Sequence, residues 1–131
     1  MKEEQGNYDK LVDNKIAVYN AGDIDTHFIL QLNFINGKIP SGNFFLEKTG
    51  EQLKWNEMPV KGEDTYIKFN SKLNLIEGYN SSNIKTGNIY NEYILAGSFF
   101  KIPVGEETIV IDTNAVSSVH EVPIEYNYYY L

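Results

Sequence analysis

Apolar and polar positions along this chain alternate with a period of two, in short runs broken by Gly, Asn and Ser. That period marks strands with one buried face, because successive side chains of an extended chain point to opposite sides. From Lys15 a short run carries Ile16 and Val18 and stops at the turn cluster Asn20-Ala21-Gly22-Asp23. Residues 26–35 alternate most cleanly. Phe28, Leu30, Leu32 and Phe34 share one side and Gln31 and Asn33 the other, with Ile29 and Ile35 as exceptions. The run ends at Asn36-Gly37, a pair that tolerates positive φ and so closes tight hairpins. Residues 43–48 and 51–55 flank Thr49-Gly50 as a second hairpin, and strands over 65–70 and 73–79 follow. Residues 80–92, rich in Asn, Ser and Gly, read as a long loop with room for one short strand. Residues 99–102 lead through Pro103-Val104-Gly105 into 107–113, and the Pro and Gly predict that these two runs pair.

The final run is the longest. Val122, Ile124, Tyr126, Tyr128 and Tyr130 lie on one face and Glu125 and Asn127 on the other, with Tyr129 and Leu131 turning the second face apolar near the end. A strand end that is apolar on both sides needs a cover, from a loop or from a partner chain. Residues 1–14 are polar and charged and read as a leader or linker ahead of one domain at 15–131. No stretch keeps a 3.6-residue period over three turns. The pattern as a whole predicts an all-β fold, an antiparallel β-sandwich or jelly roll.

Composition narrows the chemistry more than the fold. The 131 residues include ten Tyr, seven Phe and one Trp, an aromatic share that suits half-buried sheet faces. Eleven Lys against eighteen acids give a net charge of −7, Arg is absent, and the lysines are scattered. Such a surface repels nucleic-acid phosphates and anionic lipid, so neither is an expected partner. No apolar run is long enough to insert into a membrane as a helix. Without cysteine there is no disulfide, thiolate metal site or thiol nucleophile.

Candidate sites are few. His27 and His120 have no patterned Ser or Asp partner, and no Gly-x-Ser-x-Gly elbow occurs, so no catalytic residue is assigned and no enzyme is expected. Gly22-Asp23-Ile24-Asp25 looks like the start of a calcium loop but lacks the later Gly and bidentate Glu, and no metal or other cofactor is expected. Glu63-Asp64 and Glu106-Glu107 read as solvated acids beside turns. The composition does suit sugar binding. Trp55, set between Lys54 and Asn56, and the tyrosines Tyr128, Tyr129 and Tyr130 are candidates for stacking on a saccharide or a partner, against the plainer role of filling sheet faces.

Three segments together resemble the C-terminal domain of the distal tail protein (Dit) family of phages that infect Gram-positive bacteria. Residues 18–26, Val-Tyr-Asn-Ala-Gly-Asp-Ile-Asp-Thr, are similar to the family's opening Asn-x-Gly-Asp turn. Residues 97–111 resemble its late hairpin, with Val104 between Pro103 and Gly105, and residues 122–131 resemble its tyrosine-bearing last strand. The resemblance spans about residues 16–131. It implies a galectin-like β-sandwich and a non-catalytic structural role at the virion tail tip, after synthesis in the bacterial cytoplasm. The implied partners are other tail proteins: tail tube, tail-tip hub and receptor-binding proteins. A homo-hexamer is implied only in a longer chain with a ring-forming N-terminal half, which this sequence does not contain. The alternative reading is a carbohydrate-binding module for host cell-wall polysaccharide.

Overall fold

The computed structural model describes residues 2–7, 14–113 and 122–130, with side chains described from residue 14 onward. Thirteen strands build it: β1 (Lys2–Asn7), β2 (Lys15–Asn20), β3 (Phe28–Asn33), β4 (Lys38–Ile39), β5 (Gly42–Leu46), β6 (Gln52–Trp55), β7 (Met58–Pro59), β8 (Tyr66–Asn70), β9 (Leu75–Tyr79), β10 (Lys85–Ile89), β11 (Ile94–Gly97), β12 (Gly105–Thr113) and β13 (Ile124–Tyr130). A single 3-10 turn, Asn91–Tyr93, interrupts them. All pairings are antiparallel. One sheet runs β1-β13-β3-β8-β9-β10 and the other β11-β6-β5-β12-β2, with β4-β7 as a small side ribbon. The fold is an all-β antiparallel sandwich, as the alternation predicts. Among the described residues no helix is long and apolar enough to cross a membrane.

The core follows from the period of two. Ile16 and Val18, Phe28, Leu30 and Leu32, Phe44 and Leu46, Ile109 and Ile111, and Ile124 and Tyr126 all point inward from their strands. Phe44 sits at the centre, with Phe28, Phe69 and Phe100 edge-on to it at centroid distances of 5.9, 5.1 and 5.5 Å. Offset and edge-on ring pairs of this kind add to plain area burial. The Asn36-Gly37 turn forms as expected, with φ of 53° and 79°. The hairpin at Thr49-Gly50 joins β5 to β6.

Two expectations about strands are revised. Residues 2–7, expected in a leader, form β1 on the edge of the first sheet, in register with the last strand from Lys2↔Tyr130 to Asn7↔Glu125. An edge strand is held by main-chain hydrogen bonds, so Lys-Glu-Glu-Gln-Gly-Asn needs no apolar alternation to belong there. Residues 99–102 do not pair with 107–113. They run extended between the sheets, bridging Thr26↔Ile102 and burying Phe100 and Ile102, while β12 pairs with β2 and β5. Residues 80–92 hold the one short strand the loop had room for, β10, and β11, not expected, completes the far edge of the second sheet; both are short and polar or exposed, which leaves little pattern to read.

Candidate functional site

The Asn20-Ala21-Gly22-Asp23 turn is a structural knot. Asn20 is fully buried. Its amide donates to the carbonyls of Ile24 (2.9 Å) and Ile102 (3.2 Å), and its oxygen accepts from the Gly22 N–H (3.0 Å). The Asp23 N–H then donates to the Tyr129 carbonyl at 2.6 Å. Gly22 is required by close approach: a Cβ there would lie 2.5 Å from the Tyr129 carbonyl oxygen and 2.6 Å from its nitrogen. Gly22→Ala is expected to destabilise the domain by about 1–3 kcal/mol, because backbone rather than a flexible side chain must yield. Chemical denaturation compared with Ala21→Gly checks it. Asp25 caps the same region, its carboxylate accepting from the Val104 N–H at 3.2 Å. Among the described residues no group of three or more His, Asp or Glu is arranged to hold a metal.

Trp55 ends β6 on the inner face and is fully buried. Its indole N–H donates to the Pro40 carbonyl at 2.9 Å, and its ring packs on Phe69 and Phe44 at 5.0 and 5.9 Å. The polar neighbours Lys54 and Asn56 are exposed because alternation sends them outward. A ring enclosed in this way has no face free for stacking, so the structure corrects the sugar-platform expectation for Trp55. The tyrosines divide by parity. Tyr128 and Tyr130 lie on the Tyr126 side of β13, with Tyr128 6.3 Å from Tyr126 and 6.1 Å from Tyr130. The Tyr126 hydroxyl closes the sandwich by accepting from the Tyr19 N–H of edge strand β2 at 3.2 Å. Tyr129 lies on the outer face with Glu125 and Asn127.

The outer face around Tyr129 holds a groove of about 210 Å³. Beyond Tyr126 the start of β3 parts from β13, and Thr26 spans the gap by donating its hydroxyl to the Asn127 carbonyl. The floor is His27, Phe28 and Ile29; Asn70 and Lys72 form one wall, and Glu125, Asn127 and Tyr129 the other. His27 is half-buried, and its Nδ1 is enclosed without a hydrogen-bond partner. Burial, then the charges of Lys101 and Lys72, hold its pKa below the usual histidine value. The folded state therefore binds this proton less tightly than the unfolded chain. Its share of stability is complete above the usual histidine range and is lost as pH falls through it. Thermal melts from about pH 7.5 down to about pH 5 are expected to fall less steeply for His27→Gln than for the parent. His120 lies outside the described residues.

Two acids expected in solvent are buried instead. Glu107 is 4% exposed and accepts from the Thr108 N–H at 3.0 Å. Asp64, 5% exposed, accepts from the Tyr90 and Thr86 hydroxyls at 2.5 Å each and from the Asn88 amide at 3.1 Å. The Tyr90 hydroxyl also accepts from the Lys61 N–H at 2.9 Å, and the Lys61 ammonium reaches Glu92. Burial first, and the hydrogen bond to Asp64 next, push the Tyr90 phenol well above its usual pKa. This network ties the turn before β8 to edge strand β10. Gly78 makes room for it, since a Cβ there would collide with the Asp64 carboxylate. The only trace in the sequence is an acid pair beside Gly62, which reads equally well as a solvated turn.

No family model matches the chain, and no curated protein sequence matches it. One solved structure does, that of the SPP1 Dit (gp 19.1) protein, described as a paradigm of the hub adsorption apparatus in phages infecting Gram-positive bacteria. The match has a TM-score of 0.63 at 10% sequence identity and covers 97% of this chain and 46% of that one. At this identity the likeness is one of fold: the chain spans about half the length of a phage Dit protein and shares a Dit-like β-sandwich with it.

Proposed function

We propose that this chain is a structural module of a phage tail tip, a distal-tail or baseplate adaptor domain that docks other tail or host-adhesion proteins and performs no catalysis. The fold likeness to SPP1 Dit over nearly the whole chain carries this reading. The resemblance of residues 18–26, 97–111 and 122–131 to the Dit C-terminal domain adds to it, and two of these segments meet where Gly22 packs on Tyr129. A sandwich whose first and last strands pair is a self-contained body suited to being carried on a larger assembly. On this reading the partners are tail-tube, hub and receptor-binding proteins, the location is the virion tail tip, and hexamers form only in a longer chain. Immunogold electron microscopy of intact particles, with antibody raised against the domain, is the test. Label at the distal end of the tail is expected; particles labelled elsewhere or not at all would end the proposal.

A further inference from the structure

We propose that the turn at residues 71–74 and the extended segment at 97–101 frame a docking groove for an extended peptide segment of a partner protein, one that carries an apolar side chain and a carboxylate two residues apart. The inference stands whether or not the chain is carried on a tail tip. Residues 98–101 run on from β11, with the Ser98 N–H bonded to the Gln52 carbonyl at 3.0 Å. Phe100 and Ile102 are buried, so alternation turns Phe99 and Lys101 to the other side. Phe99 is half-buried there and Lys101 is exposed. Among the described residues, no main-chain N–H or C=O of residues 99–101 makes a hydrogen bond. An extended main chain left unpaired at the surface is a template for one more strand.

The flanks specify what that strand must carry. A pocket of about 340 Å³ opens between the segment and the turn, lined by Leu53, Ile94 and Phe99 with Asn74 on the turn side. It has room for one apolar side chain, the usual anchor of a docked segment. Leu73, 52% exposed, extends the apolar surface along the turn. Beside the pocket the charge is positive. Thr26 exchanges main-chain bonds with Ile102 at 3.0 and 2.7 Å, which sets Lys101 beside His27. The Phe28 N–H donates to the Ser71 hydroxyl at 2.8 Å and its carbonyl accepts from the Ser71 N–H at 3.0 Å, which sets Lys72 there as well. The charged groups acting on His27 are these two ammoniums, with no carboxylate among them. Both are exposed and, among the described residues, in no ion pair, whereas Lys15, Lys38, Lys61 and Lys85 each hold a carboxylate. In a chain of net charge −7, a positive patch beside an apolar pocket complements an acidic segment with an apolar anchor. Phe99 and Lys101 lie two residues apart on one side, so a strand paired with them presents its anchor and its acid at the same spacing.

The test is 1H–15N NMR titration of the full chain with a set of blocked threonine-based heptapeptides. Each carries Leu, Ile, Val or Phe at the centre and Asp, Glu, Gln or Lys two residues before or after it; inorganic phosphate is the non-peptide probe. At least one acidic peptide is expected to bind with a Kd of about 10–500 μM, the range of a weak docking contact. Its shifts should centre on the amides of Lys72, Asn74, Ser98, Phe99 and Lys101. The matching Gln and Lys peptides should bind about tenfold or more weaker, and added salt should narrow that gap. Lys72→Met and Lys101→Met, both at exposed positions that leave folding intact, should each weaken the acidic peptide severalfold with unchanged thermal midpoints. N-methylation of the peptide should abolish binding at one set of alternate amides and spare the other, because only alternate amides of a strand face its neighbour. Shifts centred elsewhere, Gln or Lys peptides that bind as well as the acidic ones, the same shifts saturated by phosphate alone, variants that bind like the parent, or no saturable shift with any peptide would each overturn the proposal.

Discussion

Trp55→Ala is expected to cost about 3–5 kcal/mol of folding stability, a large share of what a domain of this size possesses. The ring is fully buried between Phe44 and Phe69, and its indole N–H satisfies the Pro40 carbonyl. Alanine leaves a cavity at the aromatic centre and takes one of two donors from the Pro40 carbonyl, which keeps the Thr113 hydroxyl at 3.2 Å. Urea unfolding followed by tyrosine fluorescence or circular dichroism measures the loss. Trp55→Phe should recover most of the packing but not the hydrogen bond, leaving a deficit of about 1–2 kcal/mol. Stability like that of the parent in the alanine variant would show that the ring is not enclosed as described. It would also reopen the surface role that the polar neighbours Lys54 and Asn56 imply.

The second large effect is expected at Asp64. Asp64→Ala removes the common acceptor of Tyr90, Thr86 and Asn88 at the junction of the turn before β8 with β10; Thr86 and Asn88 keep the Gly78 and Lys61 carbonyls as second acceptors, and the buried Tyr90 hydroxyl is left without one. Stranding the Tyr90 hydroxyl and weakening the two other bonds costs about 2–3 kcal/mol. Tyr90→Phe should cost less, about 1–2 kcal/mol, because the ring stays packed and only the hydroxyl is lost. A double-mutant cycle then reads the coupling, expected at about 1–2 kcal/mol. Additive losses would show that the two groups do not act together. Hydrogen exchange gives a second reading: in Asp64→Ala, protection should fall first along β10, which among the described strands pairs with β9 alone.

The two acid pairs show how local the sequence signal is. Glu63 and Asp64 look alike as neighbours beside Gly62, yet Glu63 is solvated and Asp64 is buried under three donors that follow it by 22, 24 and 26 residues. Nothing in the residues themselves separates the two. The same limit applies to Pro103 and Gly105, which read locally as the closure of a hairpin. In the structure β12 is already paired on both sides, by β2 and β5, and residues 99–102 are left to cross between the sheets. For the candidate site, the period-two pattern already assigned Tyr129, Glu125 and Asn127 to one side of the last strand. Their meeting with His27 and Lys72 depends on β13 lying beside β3, a neighbour about ninety-five positions away.

What the amino-acid order determined unaided was which face of each long strand turns inward. Burial of alternate apolar side chains is written in a period of two, so Phe28, Leu30 and Leu32 were legible as one face and Ile124 and Tyr126 as another, and these are core. It determined the tight turn at Asn36-Gly37 for the same reason, since steric tolerance of positive φ belongs to the residue itself. Only the tertiary structure decided which strands are neighbours, that a polar N-terminal segment becomes an edge, that Trp55 is sealed inside, and that Asp64 is held by donors far along the chain. Those outcomes depend on main-chain hydrogen bonding and on contacts between distant segments, and neither leaves a periodic trace in the segments that make them.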